Sequence, residues 1–400
     1  MDSVRPNDKK VNVDSRLRKT HVVMRMLGFH LLDYESRYES SGTTRSDLFL
    51  RLLATASLLY IVIPAITAMT QFFHDLRHLS EVTSVVLSCT QSLSLIANLY
   101  LQESKYRQVV KKMREELWTE SLTPILWDQF RIFDRFAAII TMYMIIVFYG
   151  VLSVYLTSPL WFHNFNLYKD LNAMRRIPFI AKFYYDERPS PQYEITYACQ
   201  ILGCFYAMTS DVGLVSLYAI LSMHLCAKLR LLTVKFTEID ATTTAQDFTE
   251  LVREHRYLIQ FAKDVEDLHS PILLVHFLLS TILICLNVVK LTSVSVHQNR
   301  LEFSLFVMYF AGAFFEIFIL CWIANKVFLE SENLATAIYC SRWFEAAKPV
   351  QHGVLLTLMR AQSPSVLTAG KFFPISLESF GTVCTTAVSY YTLLKSVAPG

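Results

Sequence analysis

Near its end the chain repeats small hydroxyl side chains at helical spacing. Thr382, Thr386, Ser389, Leu393, Ser396 and Val397 recur at steps of three and four, which sets them on one face of a helix. The opposite side carries Val383, Ala387, Tyr391 and Leu394. A hydroxyl stripe closed by branched aliphatic residues suits water better than lipid. Copies arranged around an axis would line a conduit with Ser389 and Ser396 and narrow it at Leu393 or Val397, a hydrophobic constriction of the kind that gates by dewetting. The competing reading is that small hydroxyls simply let helices pack closely.

A second constellation could hold a small neutral ligand. One apolar run contributes Ser84, Leu87, Ser88 and Gln91, and the next contributes Ile146, Tyr149, Gly150 and Ser153 flanked by Val147 and Val154. A third adds Gln200, Cys204, Ala207 and Met208, and a later one Phe306, Tyr309 and Phe310. Apolar and aromatic walls with a few hydroxyls are the usual surroundings of such ligands. Singly, each residue reads as core. Gly150 leaves room where a side chain would stand, so a bulky replacement there is expected to weaken ligand response.

Two acids, Asp211 and Glu316, sit inside apolar runs, where each costs about 2.5–3.5 kcal/mol on insertion scales. They read either as ion or gating chemistry or as protonated or hydrogen-bonded acids joining two helices. No Ser/His/Asp set, paired carboxylates or metal-spaced histidines are visible, so neither an enzyme nor a metal or cofactor is expected.

The elements that must position these groups are membrane helices. Of 400 residues, 53% are apolar, 13% aromatic and only 18% charged, too little charge for a well-solvated surface of this size. Ten glycines argue against a Rossmann or phosphate-loop enzyme, and a net charge of +3 is too small to suggest nucleic acid. The eight cysteines form no C-x-x-C pair and lie mostly in apolar runs, as membrane-packing residues do. A span needs about 20 apolar residues. Leu52–Phe73, Val82–Gln102, Ala137–Ser158, Ile195–Ala227, Pro271–Val289 and Phe303–Asn325 qualify, and Ser379–Leu394 is a shorter, hydroxyl-rich seventh.

Charge sets the orientation. The N-terminal tail and the connections after the second, fourth and sixth spans hold 27 of the 37 Lys and Arg, whereas the opposite set holds nine. Positive charge stays cytoplasmic, so the expectation is an all-α membrane protein of seven transmembrane helices with its N-terminus inside and its C-terminus outside. That orientation disfavours a G-protein-coupled receptor, and Asp134-Arg135-Phe136 precedes the third span rather than following it.

Between the spans, Glu103–Phe136 alternates charged and apolar residues and predicts a helix continued from the membrane into the cytoplasm. Ala227–His269 predicts two such helices around a turn at Ala241–Ala245, and Ser331–Met359 a further amphipathic stretch. Their apolar faces need partners, each other first and neighbouring subunits second. The outer stretch Thr157–Glu194 is aromatic and proline-marked, which suggests a packed extracellular lid, with direct contact to a ligand as the alternative.

The end of the chain is specific. "LLTLMRAQSPSVLTAGKFFPISLESFGTVCTTAVSYYTLLKSV" (Leu355–Val397) strongly resembles the C-terminal signature of insect odorant receptors. "ATAIYCSRWFEA" (Ala335–Ala346) resembles the helix preceding it, and "RRIPFIAKFYYD" with "SPQYEITYACQ" resembles the family's passage from outer loop to fourth span.

The resemblance implies an odorant-gated, non-selective cation channel in the plasma membrane of a sensory-neuron dendrite, a tetramer whose last helices line a central pore. By position, that pore face falls on Ser389, Leu393, Ser396 and Val397. The implied pocket for a small volatile organic ligand lies in the outer half, between the second, third, fourth and sixth spans. The implied units are residues 1–325, a six-helix bundle with pocket and cytoplasmic extensions; 326–378, a cytoplasmic anchor; and 379–400, the pore helix. Tuning subunits of this family assemble with a shared, longer co-receptor whose fourth-to-fifth connection is enlarged. No such insert occurs here. Gustatory relatives close with T-Y-x-x-x-x-x-Q-F, where this chain has "SYYTLLKSV". Lys395 would place four positive charges near a homotetrameric cation pore, which favours a heterotetramer. The implied partners are a co-receptor, the ligand, permeant cations and lipid. The readings weighed against this one are a metabotropic seven-helix chemoreceptor and a gustatory-type channel.

Overall fold

The structure, a computed structural model, describes residues 9–11, 13–30, 45–72, 76–118, 121–164, 177–293 and 300–397. A short strand β1 (Lys9–Lys10) precedes α1 (Asp14–Met26), α2 (Arg45–Met69), α3 (Leu76–Leu101) and α4 (Glu103–Glu115). Strand β2 (Ser121–Leu122), antiparallel to β1, leads into α5 (Pro124–Asn164), α6 (Gln192–Thr237), α7 (Ala245–Ser293) and α8 (Arg300–Cys340). A 3-10 turn at Trp343–Glu345, α9 (Lys348–Ala361), the hairpin β3 (Thr368–Ala369) and β4 (Phe373–Pro374), and α10 (Leu377–Val397) complete the chain. Six of these helices, α2, α3 and α5 to α8, are long and apolar enough to cross a membrane. With α10 they make the expected seven-helix, all-α membrane fold.

Helix α6 is the axis of the bundle. Every residue from Val212 to Leu229 is buried, as expected of a helix apolar on all sides, and α1, α2, α3, α5, α7 and α8 all pack on it. The approach of α2 depends on Gly203. A Cβ there would stand 2.5 Å from Ile61 Cδ1 and 2.8 Å from the Ser57 carbonyl oxygen. The outer surface is correspondingly greasy: Leu52, Leu59, Ile63 and Ile66 of α2 and Ile132, Ile139 and Ile146 of α5 are exposed in the isolated chain. Such a continuous apolar belt requires lipid.

The 46-residue α6 and 49-residue α7 are about 70 Å long at 1.5 Å per residue, more than twice the hydrocarbon thickness. Their excess forms the cytoplasmic layer, and α6 and α7 meet it with a turn at residues 238–244, close to the predicted position. Lys228 and Lys235 of α6 pair with Glu254 of α7 at 3.4 and 2.8 Å, Arg230 pairs with Glu330 of α8 at 2.7 Å, and Lys112 of α4 with Asp264 of α7 at 2.5 Å. The amphipathic faces bury against each other, as expected.

One expectation fails. Glu103–Phe136 is not a single helix. Helix α4 ends at Glu115 and α5 begins at Pro124, with β2 between. Proline has no N–H to continue a preceding helix and favours a first turn, while Leu117 and Trp118 turn inward and are buried. The Trp118 indole N–H donates to His224 Nδ1 at 3.1 Å. Helix α8, for its part, runs unbroken across the boundary expected at residues 325 and 326. All eight cysteines are free thiols.

Two histidines in the cytoplasmic half of α7 predict a pH dependence. Burial, then the charge of Arg360, lowers His255 to about 4. Burial lowers His269 to about 4, opposed by its bond to the Val265 carbonyl. An unfolded imidazole titrates near 6.5. Between pH 6.5 and 4 the unfolded chain therefore binds protons that the folded chain refuses. Stability is full above pH 6.5 and falls below it, by up to about 1.4 kcal/mol per pH unit for each residue. Melting temperatures of the solubilised protein should decline from pH 7 to pH 5, and His269→Gln should flatten that decline.

Candidate functional site

In α3, Ser84, Ser88 and Gln91 follow one another along the side turned to the bundle. Ser84 and Ser88 donate to the carbonyls one turn back at 2.7 and 2.9 Å, which satisfies hydroxyls in an apolar setting. Ser88 also meets the Tyr309 hydroxyl of α8 at 2.5 Å, and Leu87 is half-buried beside it. Tyr149 of α5 bonds Thr209 of α6 at 3.0 Å and tilts its ring against Phe205. Cys204 is buried, Ala207, Met208, Val147, Val154 and Phe310 are half-buried, and Phe310 stacks on Phe314. The side chain of Phe306 lies outside the described residues.

Ile146, Gly150 and Ser153 stand apart from this group. All three are exposed and continue the stripe of Ile132, Ile139 and Met142 on α5. Among the described residues, no atom beyond its own helix backbone and chain neighbours lies within 4 Å of a Cβ built on Gly150. The period of the helix placed these residues together, but the face they share is turned away from Tyr149 and its Thr209 partner.

The outer connection is pinned where it is described. Phe179 exchanges two hydrogen bonds of 3.1 Å with the Gln200 amide. The Lys182 N–H donates to the Pro64 carbonyl at 3.0 Å, and Tyr185 joins Thr196 at 2.6 Å and Tyr60 at 2.5 Å. This segment packs across α2 and the start of α6 as a lid would. Gln200 is therefore committed to the loop.

Deeper in the bundle a polar group appears that no spacing announced. His276 of α7 is buried with its Nε2 3.3 Å from Glu316 Oε1 of α8. The Gln91 amide nitrogen lies 2.9 Å from His276 Nδ1 and 3.0 Å from its Nε2, and Ser280 donates to the Gln91 oxygen at 3.3 Å. Asp211 of α6 completes the set. Its donors come from four different helices, so only the unusual presence of Gln, His, Asp and Glu within apolar runs could have signalled it.

Helix α10 packs on α7 and α8 through Val383 and Ala387, both buried. That is the side opposite the hydroxyl stripe. Gly381, Thr382, Thr385, Val388, Ser389 and Thr392 are exposed. Thr385 and Thr392 lie at the centre of this face although the predicted stripe omitted them, while Thr386 is half-buried at its edge. Each exposed hydroxyl donates to a carbonyl of its own helix at 2.7–3.1 Å, so none needs a second helix. The side chains of Leu393, Ser396 and Val397, and those of Tyr391 and Leu394, lie outside the described residues.

Comparison with known proteins accords with this architecture. The fold matches that of the insect olfactory receptor OR5 from Machilis hrabei in complex with eugenol, with a TM-score of 0.84 at 16% identity, over 96% of this chain and 99% of that one. Odorant receptor 10 of Aedes albopictus is 28% identical over 58% of this chain and 64% of its own length, so the aligned region spans just under two thirds of that relative. Odorant receptor 13a of Drosophila melanogaster is 24% identical over 90% of this chain and 91% of its own length. The pattern of the family described as "7tm Odorant receptor" matches residues 75–388. The chain therefore belongs to the seven-transmembrane odorant receptor family, whose members are receptors and not enzymes.

Proposed function

We propose that the chain is an odour-tuned subunit of a ligand-gated, non-selective cation channel. A small volatile organic molecule binds in the outer half of the bundle, among α3, α5, α6 and α8, and opens a central pore lined by α10. The assembly is a heterotetramer with a co-receptor in the plasma membrane of sensory dendrites. The observation that carries this reading is the exposed face of α10, where Thr382, Thr385, Ser389 and Thr392 stand in a row next to α7 and α8. A hydroxyl row on an otherwise apolar bundle is poor against lipid and well suited to a hydrated conduit. In this reading Ser389, Leu393, Ser396 and Val397 form its narrow outer part. Within the pocket, the Ser88–Tyr309 and Tyr149–Thr209 pairs offer the hydroxyls that orient a ligand.

Cysteines introduced at Thr385, Ser389 and Thr392, in cells also expressing the co-receptor, are expected to react with aqueous thiol reagents and to block odour-evoked current. Modification unaffected by odour at every one of these positions, with current intact, would remove α10 from the pore.

Subunit contacts are assigned to the cytoplasmic layer. Tyr339, Phe344, Leu356, Met359 and Phe372 are 63–74% exposed there, outside the lipid belt, and water is a poor solvent for such a cluster. The paired change Met359→Glu and Phe372→Glu should dissociate the tetramer on native gels while leaving the chain folded. Intact tetramers would place the contacts elsewhere.

A further inference from the structure

Asp211, His276 and Glu316 each offer a donor atom within 4.8 Å of the other two. His276 and Glu316 are 1% and 5% exposed. Among the described residues, two of the oxygens, Asp211 Oδ1 and Glu316 Oε1, have no hydrogen-bond partner. The 3.3 Å approach of His276 to Glu316 is thus an ion-pair distance without hydrogen-bond direction. Buried polar atoms are usually satisfied, so two open acceptors on neighbouring side chains leave room in one place for a cation or a proton.

Charge narrows the choice. With both carboxylates ionised, two carboxylates and one imidazolium leave the group one positive charge short, in a setting where an unbalanced charge is costly and is met by a proton or by a cation. A divalent ion with neutral imidazole balances it completely. The donor set is two oxygens and one nitrogen. Calcium and magnesium prefer all-oxygen shells, whereas imidazole with carboxylate suits zinc and its neighbours. Donors on a tetrahedral zinc ion stand about 3.4 Å apart, given bonds of 2.0–2.2 Å, so small side-chain rotations close the present spread. The outer support is also in place. A ligating histidine characteristically hands its other ring nitrogen to an orienting partner, and Gln91 lies 2.9 Å from His276 Nδ1, held in turn by Ser280. The same Gln91 amide nitrogen is 3.0 Å from Nε2. Turning the amide over lets its oxygen accept from Nδ1–H and its N–H donate to Ser280 Oγ, and a small swing of the imidazole away from the amide would then turn Nε2 to the ion.

We propose that Asp211, His276 and Glu316 form an intramembrane site for a divalent transition-metal ion of the zinc class, with Gln91 as its positioning residue. Three protein ligands leave a fourth position open. Because α6, α7 and α8 each supply one ligand, an ion there would clasp the central helix to the two helices on which α10 rests.

The test uses the full-length chain, purified in detergent in the assembly it forms, stripped with a chelator and titrated with zinc or cobalt(II). We expect one ion per chain, a rise in melting temperature on adding zinc, and the visible absorption of cobalt in a nitrogen–oxygen shell. His276→Ala, Glu316→Gln and Asp211→Asn should each lose the ion at least a hundredfold in affinity, and Gln91→Ala should weaken it by about 10–100-fold. Absence of binding to the wild-type protein, unchanged metal content in all three ligand variants, or X-ray absorption showing sulfur neighbours from the free thiols would overturn the site. Should the ligand variants not fold, the spectrum of the wild-type ion decides alone: one imidazole with oxygens supports the site, and thiolate or several imidazoles refutes it. None of these readouts depends on channel activity.

Discussion

Replacing Arg51 by alanine should destabilise the protein by about 1.5–3 kcal/mol, the range for losing hydrogen bonds to a charged group. Arg51 sits at the cytoplasmic end of α2 and is 5% exposed. Its Nε–H donates to the Gly28 carbonyl at 2.9 Å, and its terminal nitrogen reaches Glu103 Oε1 at 2.9 Å. The guanidinium also lies 4.3 Å over the Phe29 ring. Alanine would leave the Gly28 carbonyl without this donor and Glu103 with the charge of Arg107 alone. Lysine restores the charge but not the planar fork, which serves two acceptors and a ring face together, so Arg51→Lys should recover only part of the loss. Thermal melts of the solubilised variants, with surface expression as a second readout, check this. Wild-type stability in Arg51→Ala would mean that the three contacts contribute little.

The second large effect is expected at Gly370, in the hairpin that delivers the chain to α10. Its φ of +63° lies in the left-handed region, and a Cβ there would meet Leu274 Cδ2 at 2.7 Å. For Gly370→Val the left-handed backbone costs about 1–2 kcal/mol and the overpacking about 1–3 more. The loss should be felt in coupling as well as in stability, because this turn is bolted to α7. The Gly370 N–H donates to the Ser270 carbonyl, the Lys371 N–H to Ser270 Oγ, and Thr368 to Glu266 at 2.5 Å, while Lys371 pairs with Asp267. A valine that loosens the turn would disconnect the base of α10 from α7. Odour-evoked current is expected to fall by more than ligand affinity does. A proportionate fall in both would assign the hairpin to folding alone.

Much of this protein was legible in its sequence because the relevant forces are local or one-dimensional. A helix repeats every 3.6 residues, so Thr382 and Ser389 separate from Val383 and Ala387 on paper as they do in space, although the exposed face is centred on Thr385 and Thr392 rather than on Thr386. Hydropathy marked the spans, since lipid leaves the backbone no alternative to helix, and lysine and arginine alone set their direction. Pro124 carried the signal for the break between α4 and α5, although the amphipathic alternation around it suggested one helix.

Periodicity says which residues share a face, but not where that face points. Ile146, Gly150 and Ser153 lie together as expected, and only the packing of Tyr149 against α6 turns their side of α5 outward. The Asp211–His276–Glu316 group lay beyond any reading of spacing, for its members are drawn from three helices whose rotation and depth are set by the close approach of neighbours such as α2 at Gly203. Local chemistry decided which helices form and which way they run. The long-range interlocking of side chains decided what those helices bring face to face.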